Sequence, residues 1–191
     1  MIPSINLQYN FSKEDYAAFY NHAMWASGAK KKERVNDTIK TIGNMIVFSA
    51  MFYYASGRHL PWKILAPSFI VIIGISVASL YFYKTKLDKQ LQQFLESEEN
   101  KNIFTANYLL ANEQEILVKN KFEQTTYQWK SIINKVEIDT HYFLFTNSVQ
   151  AIIIPKTAFI NNADKVTFDK ILSATLPLEI QLKQDIRNGG K

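Results

Sequence analysis

"FIVIIGISVASLYFYK", Phe69 to Lys84, carries no charge before its final lysine. Such a stretch belongs either to a helix crossing a bilayer or to the core of a soluble bundle, and its surroundings decide between the two. Extended upstream, the uncharged run covers Ile64 to Tyr83, about twenty residues. At about 1.5 Å per helical residue it matches a hydrocarbon core of roughly 30 Å. A second uncharged run, "TIGNMIVFSAMFYYASG", spans Thr41 to Gly57 and includes Asn44. Between them "RHLPWK" offers Pro61 to stop a helix and Trp62 to sit at an interface. Helices joined so briefly are antiparallel neighbours, and neither run has the polar stripe of a helix lying on a soluble core. The sequence therefore predicts a transmembrane hairpin, about 41–57 and 64–83. Gly74 with Ala78, and Gly43 with Ala50, offer small residues for close helix approach.

Charge supports the same reading. The formal net charge of the 191-residue chain is +5, and "KKKERVNDTIK", Lys30 to Lys40, holds five basic and two acidic residues. From Lys101 onward eleven basic residues face nine acidic ones, so the basic excess crowds the edge of the apolar stretch. A nucleic-acid binder spreads basic surface over its folded domain, so no nucleic-acid partner is expected. Lys30, Lys31, Lys32 and Arg34 before the first helix, and Lys84 and Lys86 after the second, are candidate contacts to a membrane surface. Only Arg58 and Lys63 lie in the connecting loop, so the positive-inside rule predicts a multi-pass protein of the cell membrane with both termini in the cytoplasm. The start, "MIPSINLQYNFSKEDY", lacks a basic residue followed by an apolar run, and no cleavable secretory signal is predicted.

The remaining segments divide by period. "INLQYNF" alternates as a short strand, and Ser12 with Asp15 reads as a helix cap. Tyr16, Phe19, Tyr20, Ala23 and Met24 then share a helical face, suited either to the membrane surface or to a neighbouring domain. This gives an N-terminal segment of strand and amphipathic helix, 1–40. Leu87, Leu91, Phe94 and Leu95 keep helical spacing beyond the second run, which predicts an amphipathic stalk over 84–100. From Phe104 the period becomes two. "FTANYLL", "QEILVK", "FEQTTYQW", "INKVEI", "YFLFT" and "QAIIIP" read as six short strands, and "NNADKVTFDKILSATL" as one helix ended by Pro177. The predicted class is an α+β membrane protein: a transmembrane helical hairpin, then a small antiparallel β-barrel or meander capped by one C-terminal helix, 101–176, with a tail at 177–191.

Three stretches carry a resemblance: the Asp15-Tyr16 helix start after a short strand, "YQWKSI" (Tyr127 to Ile132) and "IIIPKTAF" (Ile152 to Phe159). In these, and in the order of its elements, the chain resembles the YcxB-like family of bacterial membrane proteins. The resemblance implies a small cytoplasmic domain similar to pleckstrin-homology domains, and no activity.

Chemistry is sparse. With no cysteine there is no disulfide, thiolate metal site or cysteine nucleophile. His22, His59 and His141 are far apart and lack metal-ligand spacing, and no Gly-rich phosphate loop is present. Asp139 and His141 lie two apart, half of a dyad at most. No catalytic residue, metal or cofactor is expected. Lys156 is a candidate ligand contact. The expected function is a membrane-anchored, non-enzymatic interaction module whose partners are the bilayer and an unidentified protein or anionic lipid; a homo-oligomer is compatible with it. The alternative is an accessory subunit of a transporter or secretion complex, recruited through the hairpin.

Overall fold

The computed structural model describes residues 4–55, 57 and 62–180, with the backbone alone for 62–69 and 72. The loop residues Arg58 to Pro61, with His59, and the tail beyond Ile180 lie outside the described residues, as do the side chains of Trp62 and Lys63. The chain divides into two compact units, one formed by Met1–Phe19 with Leu95–Lys191 and the other by Tyr20–Phe94.

The first unit is built from strands. Strand β1 (Ile5–Asn10) pairs antiparallel with β2 (Ala106–Ala111), followed by β3 (Glu115–Lys119) and β4 (Gln124–Gln128) in a four-stranded sheet of order β1-β2-β3-β4. Strands β5 (Asn134–Glu137), β6 (His141–Phe145) and β7 (Ala151–Pro155) form a separate three-stranded sheet. All six segments of alternating sequence after Phe104 are strands, and the N-terminal "INLQYN" adds a seventh. The expected single barrel is corrected: the strands form two small sheets, not a closed cylinder. Strand pairing stops between β4 and β5, where a 3₁₀ turn at Trp129–Ser131 redirects the chain.

Three hairpins share one device. The side-chain oxygens of Asn112, Asn120 and Asn147 each accept two backbone N–H groups, from Gln114 and Glu115, from Phe122 and Glu123, and from Val149 and Gln150. Asparagine closes such turns because its short amide reaches the backbone two and three residues on. The core fills from both sheets and from helix α4 (Asn162–Thr175), which is capped by the Asn161 side chain accepting from the Asp164 N–H at 2.9 Å. Phe168, Ile171 and Leu172 are its buried face. Phe168 meets the rings of Tyr142 and Phe159, each at 5.5 Å.

Helix α1 (Lys13–Asn21) begins with the cap expected from the sequence: Ser12 N–H donates to Asp15 Oδ2 at 2.8 Å and Asp15 N–H to Ser12 Oγ at 3.2 Å. Its Phe19 packs on Phe143 and Phe145, so this turn of the helix serves the β core.

The second unit contains a π-helical turn at His22–Ala26, helix α2 (Gly28–Ala55) and helix α3, which runs unbroken from Trp62 to Glu96. Among the described residues no helix is long and apolar enough to cross a membrane. The uncharged part of α2, 41–55, is about 22 Å long at about 1.5 Å per residue. A bilayer core needs roughly 30 Å. The transmembrane hairpin at 41–57 and 64–83, the membrane-protein class and the multi-pass cell-membrane location with cytoplasmic termini are corrected on that ground. Nor do the glycines mark a close approach, since a Cβ added at Gly43 or Gly74 would meet nothing within 4 Å.

Candidate functional site

The register of the four-stranded sheet sorts its inner face into rows. One row is Ile5, Ala111, Ile116 and Tyr127; the next is Leu7, Leu109, Val118 and Thr125. The third begins with Tyr9 opposite Asn107, beside Asn120 and Glu123 of the β3–β4 turn. Apolar side chains thus give way to polar ones at one end of the sheet. There the face opens into a cavity of about 340 Å³, shared with Phe11, Tyr16 and Phe19, with Val149 and Gln150 of the β6–β7 turn, and with the start of β7 from Ala151 to Ile153.

Two hydrogen-bonding groups define this cavity. Tyr9 donates its hydroxyl to the Ile153 carbonyl at 2.9 Å, tying the first sheet to the second. Burial raises its hydroxyl pKa well above the ordinary tyrosine value, so it stays a donor. Asn107 Oδ1 is buried and has no hydrogen-bond partner among the described residues. A buried acceptor left unpaired costs about 1–3 kcal/mol, and a donor brought by a ligand would remove that cost. Among the described residues Glu123 is the sole charged one of the lining. The site therefore offers aromatic walls, one free acceptor and one carboxylate, a combination that suits an apolar group bearing an N–H donor or a cation.

The residues expected from the sequence lie elsewhere. Lys30, Lys31, Lys32 and Arg34 open α2, and Lys84 and Lys86 stand on α3, all in the helical unit. Lys31, Lys32 and Lys86 are exposed. Lys30 pairs with Glu33 at 2.8 Å, and Lys84 bonds to Asn21 and Asp88. Arg34 and Lys84 are brought over one ring, the indole of Trp25, at 4.0 and 5.7 Å. Lys156 is engaged inside the β unit, where it pairs with Glu137 at 2.8 Å and lies 5.2 Å from the Tyr142 ring.

His141 is not half of a pair with Asp139. Its Nε2 meets Asp15 Oδ1 at 2.9 Å and its Nδ1 meets Thr140 Oγ1 at 2.7 Å, with the imidazole buried and stacked on Phe143. The contact fastens the first turn of α1 to β6, and Asp15 serves both the cap and the histidine.

Sequence reasoning passed over Tyr9 and Asn107. The signal was present: Asn107 stands two residues before buried Leu109, on the inward parity of its strand, where an apolar side chain is the rule.

The segment that builds most of this unit also carries a family match. Residues 111–172 match the family model described as YcxB-like protein. The match supports the family resemblance read from the sequence and covers under half of the chain, from the last residue of β2 into α4. It takes in β7, the Asn120 turn and Tyr127 of the cavity, and leaves out Tyr9 and Asn107. Neither the curated proteins nor the solved structures give a match.

Proposed function

We propose that the chain is a non-enzymatic interaction module. Its β unit is a scaffold similar to pleckstrin-homology domains, and the cavity at the end of the four-stranded sheet receives a segment of a protein partner. Four antiparallel strands, then three, then one C-terminal helix support the scaffold reading. A single observation carries the binding reading: among the described residues the Asn107 Oδ1 acceptor is unpaired and sits in an aromatic cavity whose only charge is Glu123. That chemistry favours a basic or donor-bearing side chain over an anionic lipid.

The test is a photoactivatable phenylalanine analogue at Val149, which lines the cavity and is exposed, in the full chain expressed in its own cells. The same analogue at Ile160, 93% exposed and outside the lining, is the control. A discrete adduct is expected from Val149 alone, and Glu123→Lys removes it. Adducts of equal yield from both positions, or one indifferent to Glu123→Lys, reject the reading.

A second reading is favoured by the outward apolar side chains of α2 and α3, among them Phe48, Phe52, Ile70 and Ile73. Patches of that kind mark interaction surfaces. The helical unit would then join an accessory subunit to a transporter or secretion complex. Phe48→Glu would abolish co-purification with that complex while leaving the Val149 adduct intact.

A further inference from the structure

The helical unit holds a cavity of its own, about 310 Å³, lined by Lys30, Glu33, Arg34 and Asp37 of α2 and by Ser79 and Tyr83 of α3 among others. Arg34 is its unusual member. The guanidinium carbon lies over Trp25, 4.0 Å from the ring centroid, and Nη2 donates to the Trp25 carbonyl at 2.8 Å. These two contacts fix the direction of the whole planar group. Nη1 is buried and has no partner among the described residues, and Arg34 makes no ion pair there. A permanent cation with a buried, unused N–H is costly to the protein unless something brings an acceptor.

We propose that this cavity is a binding site for a phosphate oxyanion, with Arg34 as its anchor. The guanidinium fork is held ready by Trp25, which lowers the ordering cost of binding. Lys30 contributes a second positive charge, and its own pairing with exposed Glu33 leaves further N–H donors. Tyr83 lines the same space, its ring stacked on Trp25 at 6.2 Å. Ser79 now donates to the Ser76 carbonyl at 2.8 Å, and its hydroxyl can rotate toward an anion. Donors from both helices suit a tetrahedral oxyanion better than a planar carboxylate. Glu33 and Asp37 of the lining work against the ligand; both are exposed, so water screens their charge, and Glu33 is already paired with Lys30.

The same chemistry is offered by free phosphate and by the phosphodiester of a lipid headgroup. Calorimetric titration of the full chain with inorganic phosphate, and separately with glycerophosphoglycerol, distinguishes them without presenting a bilayer. Saturable binding of either probe is expected, and the one that binds names the source. Arg34→Lys keeps the charge and loses the fork, so affinity falls about tenfold or more. Asp37→Asn removes an opposing charge on an exposed side chain and tightens binding severalfold, an outcome that does not depend on Arg34 variants folding. Saturation by neither probe overturns the proposal. So does binding unchanged by both Arg34→Lys and Asp37→Asn, which would mean general attraction to surface lysines.

Discussion

The β unit and the helical unit draw on the same apolar residue types and use them in opposite ways. In the β unit Leu109, Ile116, Tyr142, Phe143, Phe168 and Ile171 are fully enclosed. In the helical unit α2 has no buried residue, and Phe48 and Ile70 are 72% and 73% exposed. The difference lies in what each periodicity can close. Alternation with a period of two gives each strand an inner face, and two sheets with one helix enclose it. Helices that are apolar all round have no polar face to turn to water, so two of them cannot enclose one another's residues. The β unit supplies its own solvent-free interior, whereas the helical unit leaves its apolar side chains exposed.

That contrast fixes the largest expected effect. Phe168→Ala removes a ring held by Tyr142 and Phe159 at 5.5 Å in a fully enclosed site. It should cost about 3–5 kcal/mol, read as a lower urea midpoint through the fluorescence of buried Trp129. Phe48→Ala, a deletion of the same ring, should change that midpoint by less than about 0.5 kcal/mol. Equal losses would break the comparison, because they would place Phe48 in a core.

What was legible in the sequence follows the same line. Strands announced themselves because alternation is local, and the turns between them are local as well, since Asn112, Asn120 and Asn147 act on residues two and three ahead. The Ser12–Asp15 cap is local in the same sense. How the strands group is not local, and there the barrel expectation failed: β1 pairs with β2 across the entire helical unit. The hairpin expectation rested on composition over a run of residues, and among the described residues no helix is long and apolar enough to cross a membrane. The candidate site was hidden for the reason the barrel was. Tyr9 reaches Ile153, and His141 reaches Asp15, across separations of 144 and 126 residues. One practical consequence is that a fragment beginning at Asn100 lacks β1, Tyr9 and Phe19, and cannot stand for the β unit.

Asp15 sharpens the comparison at intermediate size, because it belongs to the helix that the two units share. Asp15→Ala leaves His141 Nε2 and the Ser12 N–H without their acceptor. The expected loss is about 1–3 kcal/mol, seen in the same urea transition. Amide exchange should rise in the first turn of α1 and stay unchanged across β2–β4. Exchange that rises throughout the four-stranded sheet would mean that α1 supports the whole unit rather than its corner.

The smallest effect concerns two ion pairs, one in each unit. Burial of Glu137 alone would raise its carboxyl pKa, but the hydrogen bond and charge of Lys156, with Lys135 and Lys165 adding charge, outweigh burial and hold it below the ordinary range. A carboxylate lowered in the folded state stabilises fully above its unfolded value, about pH 4.3 for glutamate. That contribution fades as pH falls through the lowered folded value. Lys156→Met should therefore reduce the melting temperature most near neutral pH and least in acid, and the gap should narrow as pH drops below about 4.3. Because Glu137 is 38% exposed at its side chain, the change is small. In the helical unit Glu33 is likewise held low by its hydrogen bond to Lys30, but both partners are exposed. Lys30→Met should give a still smaller change, erased by about 0.5 M salt, where screening acts within a few ångströms. The Lys156 effect should persist in that salt, since its pair is partly withdrawn from water above the Tyr142 ring. If the two variants respond to salt alike, the difference in enclosure between the units does not extend to their charges.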